Sequence, residues 1–408
     1  MDPTRTIERD LRIILGIQAL RAFGYGFASV VLGAALAESG LSDAEVGLVF
    51  AAILAGNALV SIAVGMLGDR IGRRRSYAVL LIAMAAAGVA YAWSDSLWVL
   101  VPVALTGSLS TDANESGPLT SLEQAMLGGA DPRIRARVFG RYNAVAYLAG
   151  ALGALAGGGP SLLRRWFPAI PPDQRWLLVI TAAAIGSLLL VRGLSTAIDA
   201  KAERSDRPLG RSRAEVTRLA ALFGLDAFAG GFVVSTFIVF WFGRRYGASA
   251  ELMGLVLFGS GLLQGASSIA SGWVATRIGL LRTMVFTHLP SNVLLILVPV
   301  MPSLGLGVAV LLARSALSQM DVPARQAYVT ALVDPSERTA AAAFTNSARY
   351  VVRPLGAASA GALMQRVAVG APFLVAGVLK SAYDLLLFAR FRRVPLVESP
   401  EAGSGSAG

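Results

Sequence analysis

The stretch GMLGDRIGRRRS, residues 65–76, places five charged residues between two long apolar runs. The run 46–64 precedes it and the run 77–93 follows it. Each run can cross a hydrocarbon layer of about 30 Å as a helix. A charged connection between two such helices lies at a membrane surface, and arginine marks the cytoplasmic side. An orientation signal alone, however, would require neither the glycines of this stretch nor Asp69.

The composition of the whole chain indicates a polytopic helical membrane protein. Of 408 residues, 55% are hydrophobic and 15% are charged, against about a quarter charged in soluble domains. The formal charge of +11 is attributed to arginine-rich cytoplasmic loops and not to nucleic-acid binding. With no cysteine and one histidine, His288, we expect no metal site, no cofactor and no intramembrane enzyme.

Apolar runs predict twelve transmembrane helices. Their predicted bounds are 13–37, 46–67, 77–93, 97–126, 138–159, 175–194, 218–241, 251–275, 283–300, 304–331, 339–365 and 370–390. If the first helix starts inside, the inner connections carry 21 lysines and arginines and the outer ones carry 6. Both termini are therefore predicted to be cytoplasmic.

An internal repeat divides the chain near its centre. Residues 22–72 compared with 229–279 share 14 of 51 positions, including the pattern G-x4-R-I-G. We expect two pseudo-symmetric six-helix bundles, with the substrate site between them. The predicted division is an N-terminal bundle (1–194), a cytoplasmic linker (195–217), a C-terminal bundle (218–391) and a flexible tail (392–408).

The opening stretch resembles the loop 2–3 signature of the major facilitator superfamily, G-x-L-x-D-R-x-G-R-[KR]-[KR]. The resemblance implies that the acid and its arginines steady the outward-facing state. The second copy, GWVATRIGLLR (272–282), has Thr276 in place of the acid. The resemblance therefore implies this role for the first copy only. The conformational residues implied are Gly65, Asp69, Arg70, Gly72 and Arg73.

The sequence departs from the drug antiporters of this superfamily in two places. The region VLVPVALTGSLS (99–110) lacks the arginine that those proteins carry in helix four. The helix-five signature appears only loosely in AGALGALAGG (149–158), without its proline. An exporter is consistent with this pattern, but a standard drug/proton antiporter is not assured.

Polar residues inside the spans are the candidates for the transport site, because ionisable groups at membrane depth are costly and rarely face lipid. In the superfamily, helices one, four, seven and ten bound the cavity, and these spans hold most of the buried charge. The predicted substrate and proton cavity comprises Arg21, Asp112, Glu115, Asn143, Tyr147, Asp226, Gln264, Arg314, Asn346, Arg349 and Arg353. Acids that could carry a coupling proton are Asp112, Glu115 and Asp226.

Glu123 and Arg325 occupy equivalent positions of the repeat, near the inner ends of spans four and ten. They are predicted to form a gate, an ion pair that exists in only one of the two conformations of the transporter. The alternative places these two charges and Asp321 at the membrane interface, without substrate contact. Acids paired with Arg21 or Arg349 for packing are a further alternative. His288 is predicted to be a spectator.

The predicted function is secondary active transport of a small solute by alternating access, with proton-coupled export. Deep arginines favour an anionic or zwitterionic solute, and protons are the expected coupling ion. The alternatives are a uniporter or importer of an organic anion, or a receptor of transporter fold that does not transport. We expect a monomeric, multi-pass protein of the plasma membrane.

Overall fold

The computed structural model describes residues 3–110, 117–127, 132–171, 173–195, 209–210, 212–334 and 337–396. Over these residues the fold is helical, without strands. The helices are α1 (Pro3–Glu38), α2 (Asp43–Ile71), α3 (Arg73–Trp93), α4 (Leu97–Ala104), α5 (Pro118–Leu127), α6 (Pro132–Gly157), α7 (Gly159–Trp166), α8 (Leu178–Val191), α9 (Arg213–Gly231), α10 (Ser235–Tyr246), α11 (Ala250–Ile278), α12 (Leu280–Leu297), α13 (Leu304–Ser315), α14 (Asp321–Leu332), α15 (Arg338–Arg366) and α16 (Ala371–Phe391).

Every predicted span coincides with a helix or with two consecutive helices. Nine helical segments among the described residues are long and apolar enough to cross a membrane. Spans four, ten and eleven do not meet these criteria of length and hydropathy, and the structure shows why. Spans four and ten are interrupted, giving α4 and α5 in one case and α13 and α14 in the other. Span eleven is the continuous helix α15, whose arginines lower its hydropathy.

The broken spans differ from the continuous helices that the sequence predicts, and hydrogen bonds from neighbouring helices explain how the breaks are tolerated. Asn57 on α2 donates to the carbonyl oxygen of Leu109, beyond α4, at 2.8 Å. At the second break, Ser271 on α11 donates to the carbonyl oxygen of Met320 at 2.5 Å. Backbone groups freed inside a membrane protein need such partners, because lipid offers none.

We call α1–α8 the N-terminal half and α9–α16 the C-terminal half. Glycines allow equivalent helices to pack closely in each half. A Cβ added at Gly153 would lie 2.0 Å from the carbonyl oxygen of Phe23, and one added at Gly356 would lie 1.9 Å from that of Phe228. Close approach through small residues is a common mode of helix packing in membranes. These contacts fix α1 on α6 and α9 on α15.

Among the described residues, the closest glycine contacts between the two halves lie toward one end of the bundle. A Cβ at Gly47 on α2 would lie 2.3 Å from the Cα of Gly361 on α15, and one at Gly158 would lie 2.7 Å from the Cα of Glu251 on α11. Near these contacts Arg165 forms an ion pair with Glu251 at 3.0 Å. The seam lies on the side that the arginine distribution predicts to be the outer one.

At the opposite end, which contains the connection between α2 and α3, the described glycines make no comparable close contact between the halves. A Cβ added at Gly65, Gly140 or Gly272 would meet no described atom within 4 Å. At this end the last glycines of the two repeat copies have positive φ angles, 93° at Gly72 and 85° at Gly279. Glycine adopts such angles without steric cost, which explains why both copies of the repeat keep it.

Candidate functional site

A cavity of about 370 Å³ lies between the two halves. The N-terminal half contributes small residues of α1 and α6 together with Tyr147, whose hydroxyl lies 3.4 Å from Oε1 of Gln319 in the other half. The C-terminal half contributes nearly all of the charged lining, from α9 and from α12 to α16. The two halves therefore contribute differently to a shared cavity.

Asp226 on α9 is the centre of the charged lining. Its Oδ1 accepts a hydrogen bond from Nζ of Lys380 on α16 at 2.6 Å. Its Oδ2 lies 3.3 Å from a guanidinium nitrogen of Arg325 and 3.8 Å from one of Arg349. Arg325 also reaches Asp321, one helical turn earlier on α14, at 3.2 Å. One buried carboxylate is thus surrounded by three basic groups from three helices.

The charges that line the cavity do not balance. The acidic lining residues are Asp226 and Asp321, whereas the basic ones are Arg314, Arg325, Arg349, Arg353 and Lys380. Five positive and two negative groups leave a formal charge of +3, with His288 counted as neutral. A net charge at membrane depth is costly unless an ion or water compensates it. The arrangement is suited to a carboxylate or phosphate, which guanidinium groups bind through paired hydrogen bonds.

Helix packing explains why these side chains converge. A Cβ added at Gly231, the last residue of α9, would lie 2.1 Å from the carbonyl oxygen of Arg353. This close approach brings α9 against the middle of α15, so that Asp226 and Arg349 come within ion-pair distance. The chain then leaves the helix, and Val234 is extended (φ −91°, ψ 162°) before α10 begins.

A second cluster lies in the N-terminal half and is closed off from the cavity. Glu123 on α5 is fully buried and forms an ion pair with Arg21 on α1 at 2.5 Å. The hydroxyls of Tyr77 and Tyr142 both donate to the Glu123 carboxylate. Arg21 also donates to Oε1 of Gln18. We call these five residues the N-terminal cluster.

Six of the eleven predicted cavity residues lie together in the cavity lining: Tyr147, Asp226, Gln264, Arg314, Arg349 and Arg353. Arg21 is absent from that lining and belongs to the N-terminal cluster, where its partner is Glu123. Asn143 and Asn346 are exposed and do not line the cavity. Asp112 and Glu115 lie outside the described residues.

The predicted gate residues have separate partners in this conformation. Glu123 pairs with Arg21, and Arg325 pairs with Asp226 and Asp321. All are buried; Arg325 and Asp321 line the cavity, whereas Glu123 does not, and the alternative that places these charges at the depth of the membrane interface stays a prediction. A pair between Glu123 and Arg325 in another conformation stays a prediction, and it would require both buried clusters to open.

The conformational motif lies at the end of the bundle that contains the connection between α2 and α3. Gly65 is exposed, and Arg73 is buried at the start of α3. A guanidinium nitrogen of the next residue, Arg74, donates to the carbonyl oxygen of Arg192 at 3.1 Å, tying this loop to the end of α8. The side chains of Asp69 and Arg70 lie outside the described part of the chain.

Lys380 lines the cavity and was not among the predicted residues, and His288, predicted to be a spectator, also lies in the lining. Lys380 gives the clearer sequence signal. It is one of only two lysines in the chain and lies near the middle of the 21-residue helix α16. A lysine in the middle of an apolar span is a strong signal of an internal partner. Its place in the lining follows from the packing of α16 against α9, which the sequence of α16 alone does not reveal.

The fold and the charged cavity define a membrane transporter. The sequence profile of the Major Facilitator Superfamily matches residues 14–242 and, a second time, 219–407. The chain therefore belongs to the major facilitator superfamily, and it is a transporter and not an enzyme.

The chain is 24% identical to an uncharacterized membrane protein of Saccharomyces cerevisiae, over 94% of each protein. Its fold is similar to that of the nucleoside transporter NupG, with a TM-score of 0.71 at 14% identity, over 93% of this chain and 98% of the other. It is also similar to that of the human organic anion transporter MFSD10, with a TM-score of 0.60 at 17% identity, over 95% and 100%.

Proposed function

We propose that this transporter moves a small organic anion, bearing a carboxylate or a phosphate, by alternating access. The observation that supports the proposal is the excess of basic over acidic groups, five against two, in the cavity lining. The cavity volume of about 370 Å³ lies within the range of small-molecule sites, about 300–1,000 Å³. An organic anion is also the substrate named for MFSD10, a protein with the same fold.

Alternating access is supported by the close glycine contacts between the halves toward one end and by the lack of comparable contacts among the described glycines at the other. With both termini in the cytoplasm, as the arginine distribution predicts, this conformation faces inward. Closure would bring together the ends that carry the conformational motif. We propose in addition a monomer in the plasma membrane. Export driven by protons, as predicted from the sequence, stays a prediction, because the cavity charge has no bearing on the direction of transport.

The proposal is tested by binding to the purified protein in detergent, measured by calorimetry. The probes are benzoate, succinate and phenyl phosphate as anions, benzyl alcohol as a neutral ligand and benzylamine as a cation. We expect binding of at least one anion and of neither the alcohol nor the amine. Binding of benzylamine without any anion would refute the anionic substrate.

Arg353→Gln sharpens this test. We expect at least a tenfold loss of affinity for the bound anion, since one charge-assisted interaction is worth about 1.5–3 kcal/mol. Arg366→Gln is the matched control, because Arg366 is exposed near the end of the same helix. Equal affinity of Arg353→Gln and wild type would remove Arg353 from the binding site.

A further inference from the structure

Helices α12 and α16 are joined by a buried polar trio at the side of the cavity. Nδ1 of His288 lies 3.0 Å from Oδ1 and 3.1 Å from Oδ2 of Asp384. The side-chain amide of Asn292 donates to Oδ2 of the same carboxylate at 2.8 Å. Asp384 and Asn292 are fully buried. A packing role alone would not require the only histidine of the chain at this point.

His288 belongs to the cavity as well as to the trio. It lines the cavity, while its Nδ1 faces Asp384 on α16. Within the part of the chain that the structure describes, its Nε2 makes no hydrogen bond. Histidine is the side chain whose ordinary protonation equilibrium lies in the physiological range, about pH 5–8. The pair can therefore exchange a proton with the cavity.

We propose that His288 and Asp384 form the proton-binding site of this transporter and that proton binding there favours binding of the anion. The effect on anion binding rests on the proposed function, whereas the proton-binding site does not depend on it. With a neutral imidazole and an ionised carboxylate the pair has charge −1, and one bound proton brings it to 0. The formal charge of the cavity region then rises from +2 to +3.

The groups around the pair transmit this change to the anion. Lys380 precedes Asp384 by one turn of α16 and contacts Asp226 at 2.6 Å. The ring of Tyr383 lies 6.1 Å from that of His288. The charged groups that line the cavity on the elements packed around the pair are Asp226 on α9, Arg314 on α13, Asp321 and Arg325 on α14, Arg349 and Arg353 on α15 and Lys380 on α16.

Ionised Asp384 competes with a substrate anion for the positive groups of this region, and a proton on the pair removes the competition. Linkage is reciprocal, so the anion must raise the proton affinity of the pair by the same factor. Proton and anion then bind together and move in the same direction. Such cotransport would replace the proton-coupled export predicted from sequence with uptake, wherever the proton gradient points inward.

The first experiment follows the histidine itself by NMR. Because His288 is the only histidine in the sequence, isotope-labelled histidine reports on that ring alone, provided that purification uses a histidine-free tag. We expect the ring signal to change on acidification, as proton binding requires, and to change at a different pH in Asp384→Asn. A ring signal that does not respond to acidification overturns the proposal, whether or not an anion binds.

The second experiment measures coupling in proteoliposomes with the anion that binds most tightly among benzoate, succinate and phenyl phosphate. In the wild type we expect an inward acid gradient to drive accumulation of the anion. In His288→Gln we expect slower anion exchange than in the wild type and no accumulation driven by the gradient, because the pair no longer binds the proton that favours the anion. Thr287→Ala is the matched control, since Thr287 donates only to the carbonyl oxygen of Thr283 in its own helix.

The outcomes separate the two proposals. If no anion binds but the ring titrates and responds to Asp384→Asn, the anionic substrate fails and the proton site stands. If His288→Gln retains gradient-driven accumulation, the proton site fails and the anion transporter stands. Loss of both exchange and accumulation in His288→Gln, with thermal stability equal to that of Thr287→Ala, would assign His288 to substrate binding and overturn the proposal.

Discussion

The N-terminal cluster and the charged lining around Asp226 lie in the two corresponding halves of a duplicated fold, yet they differ in the balance of positive and negative charge. In the first, one carboxylate meets one guanidinium and two tyrosine hydroxyls, and all are buried away from the cavity. In the second, five basic groups face two acids around the cavity. The two halves share close packing of equivalent helices, while their polar interiors differ: one is a closed, buried ion pair and the other is the charged lining of a cavity.

The largest effect is expected for Glu123→Gln, which removes the only charged partner that the N-terminal cluster offers to Arg21. A buried guanidinium left without its carboxylate costs about 3–5 kcal/mol, so we expect a large drop in the unfolding temperature measured in detergent. Glu8→Gln is the control, because its pair with Arg12 is exposed and contributes little. Equal stability of Glu123→Gln and wild type would mean that the cluster is not structural.

Lys380→Met removes a charged partner of Asp226 in the C-terminal half, as Glu123→Gln removes that of Arg21 in the N-terminal half. Asp226 keeps Arg325 and Arg349 nearby, so we expect a smaller loss of stability than for Glu123→Gln. Affinity for the anion should fall about tenfold or more, equivalent to about 1.4 kcal/mol. Calorimetry with the anionic probes measures it, with Arg366→Gln as control. Stability lost without any loss of affinity would place Lys380 in a structural role.

Tyr142→Phe tests whether the N-terminal cluster is closed to substrate. It removes one of the two tyrosine hydroxyls that donate to Glu123, a hydrogen bond to a charged group worth about 1.5 kcal/mol. We expect a lower unfolding temperature and an unchanged affinity for the anion. A tenfold change in affinity would show that this cluster communicates with the cavity, and the contrast between the halves would weaken.

The smallest effect is expected for Asp69→Asn, which removes the acid that only the first repeat copy carries. A charge at a helix end is worth about 0.3–1 kcal/mol, so we expect transport to slow by about two- to fivefold, with unchanged insertion and unchanged affinity. Flux into proteoliposomes measures the rate. Thr276→Val, at the corresponding position of the second copy, is the control and should leave the rate unaltered.

The sequence alone determined the fold class and most helix positions, because hydrophobic runs must match the thickness of a membrane wherever they lie in the chain. It also predicted Asp226, Arg314, Arg349 and Arg353 as cavity residues, since a charge at membrane depth must face the protein interior. The duplication was readable because glycines that permit close helix contact, such as Gly47, were retained in both halves.

Only the tertiary structure decided which charges meet. Arg21 lies within a predicted span, as the cavity arginines do, but the position of α5 gives it Glu123 as a partner and places it outside the cavity lining. Lys380 and His288 enter the lining because α12 and α16 lie beside α9 and α14, an arrangement that no local pattern encodes. Hydropathy specifies how a segment lies relative to lipid, whereas the choice of ion-pair partner depends on distances of a few ångströms between segments far apart in sequence.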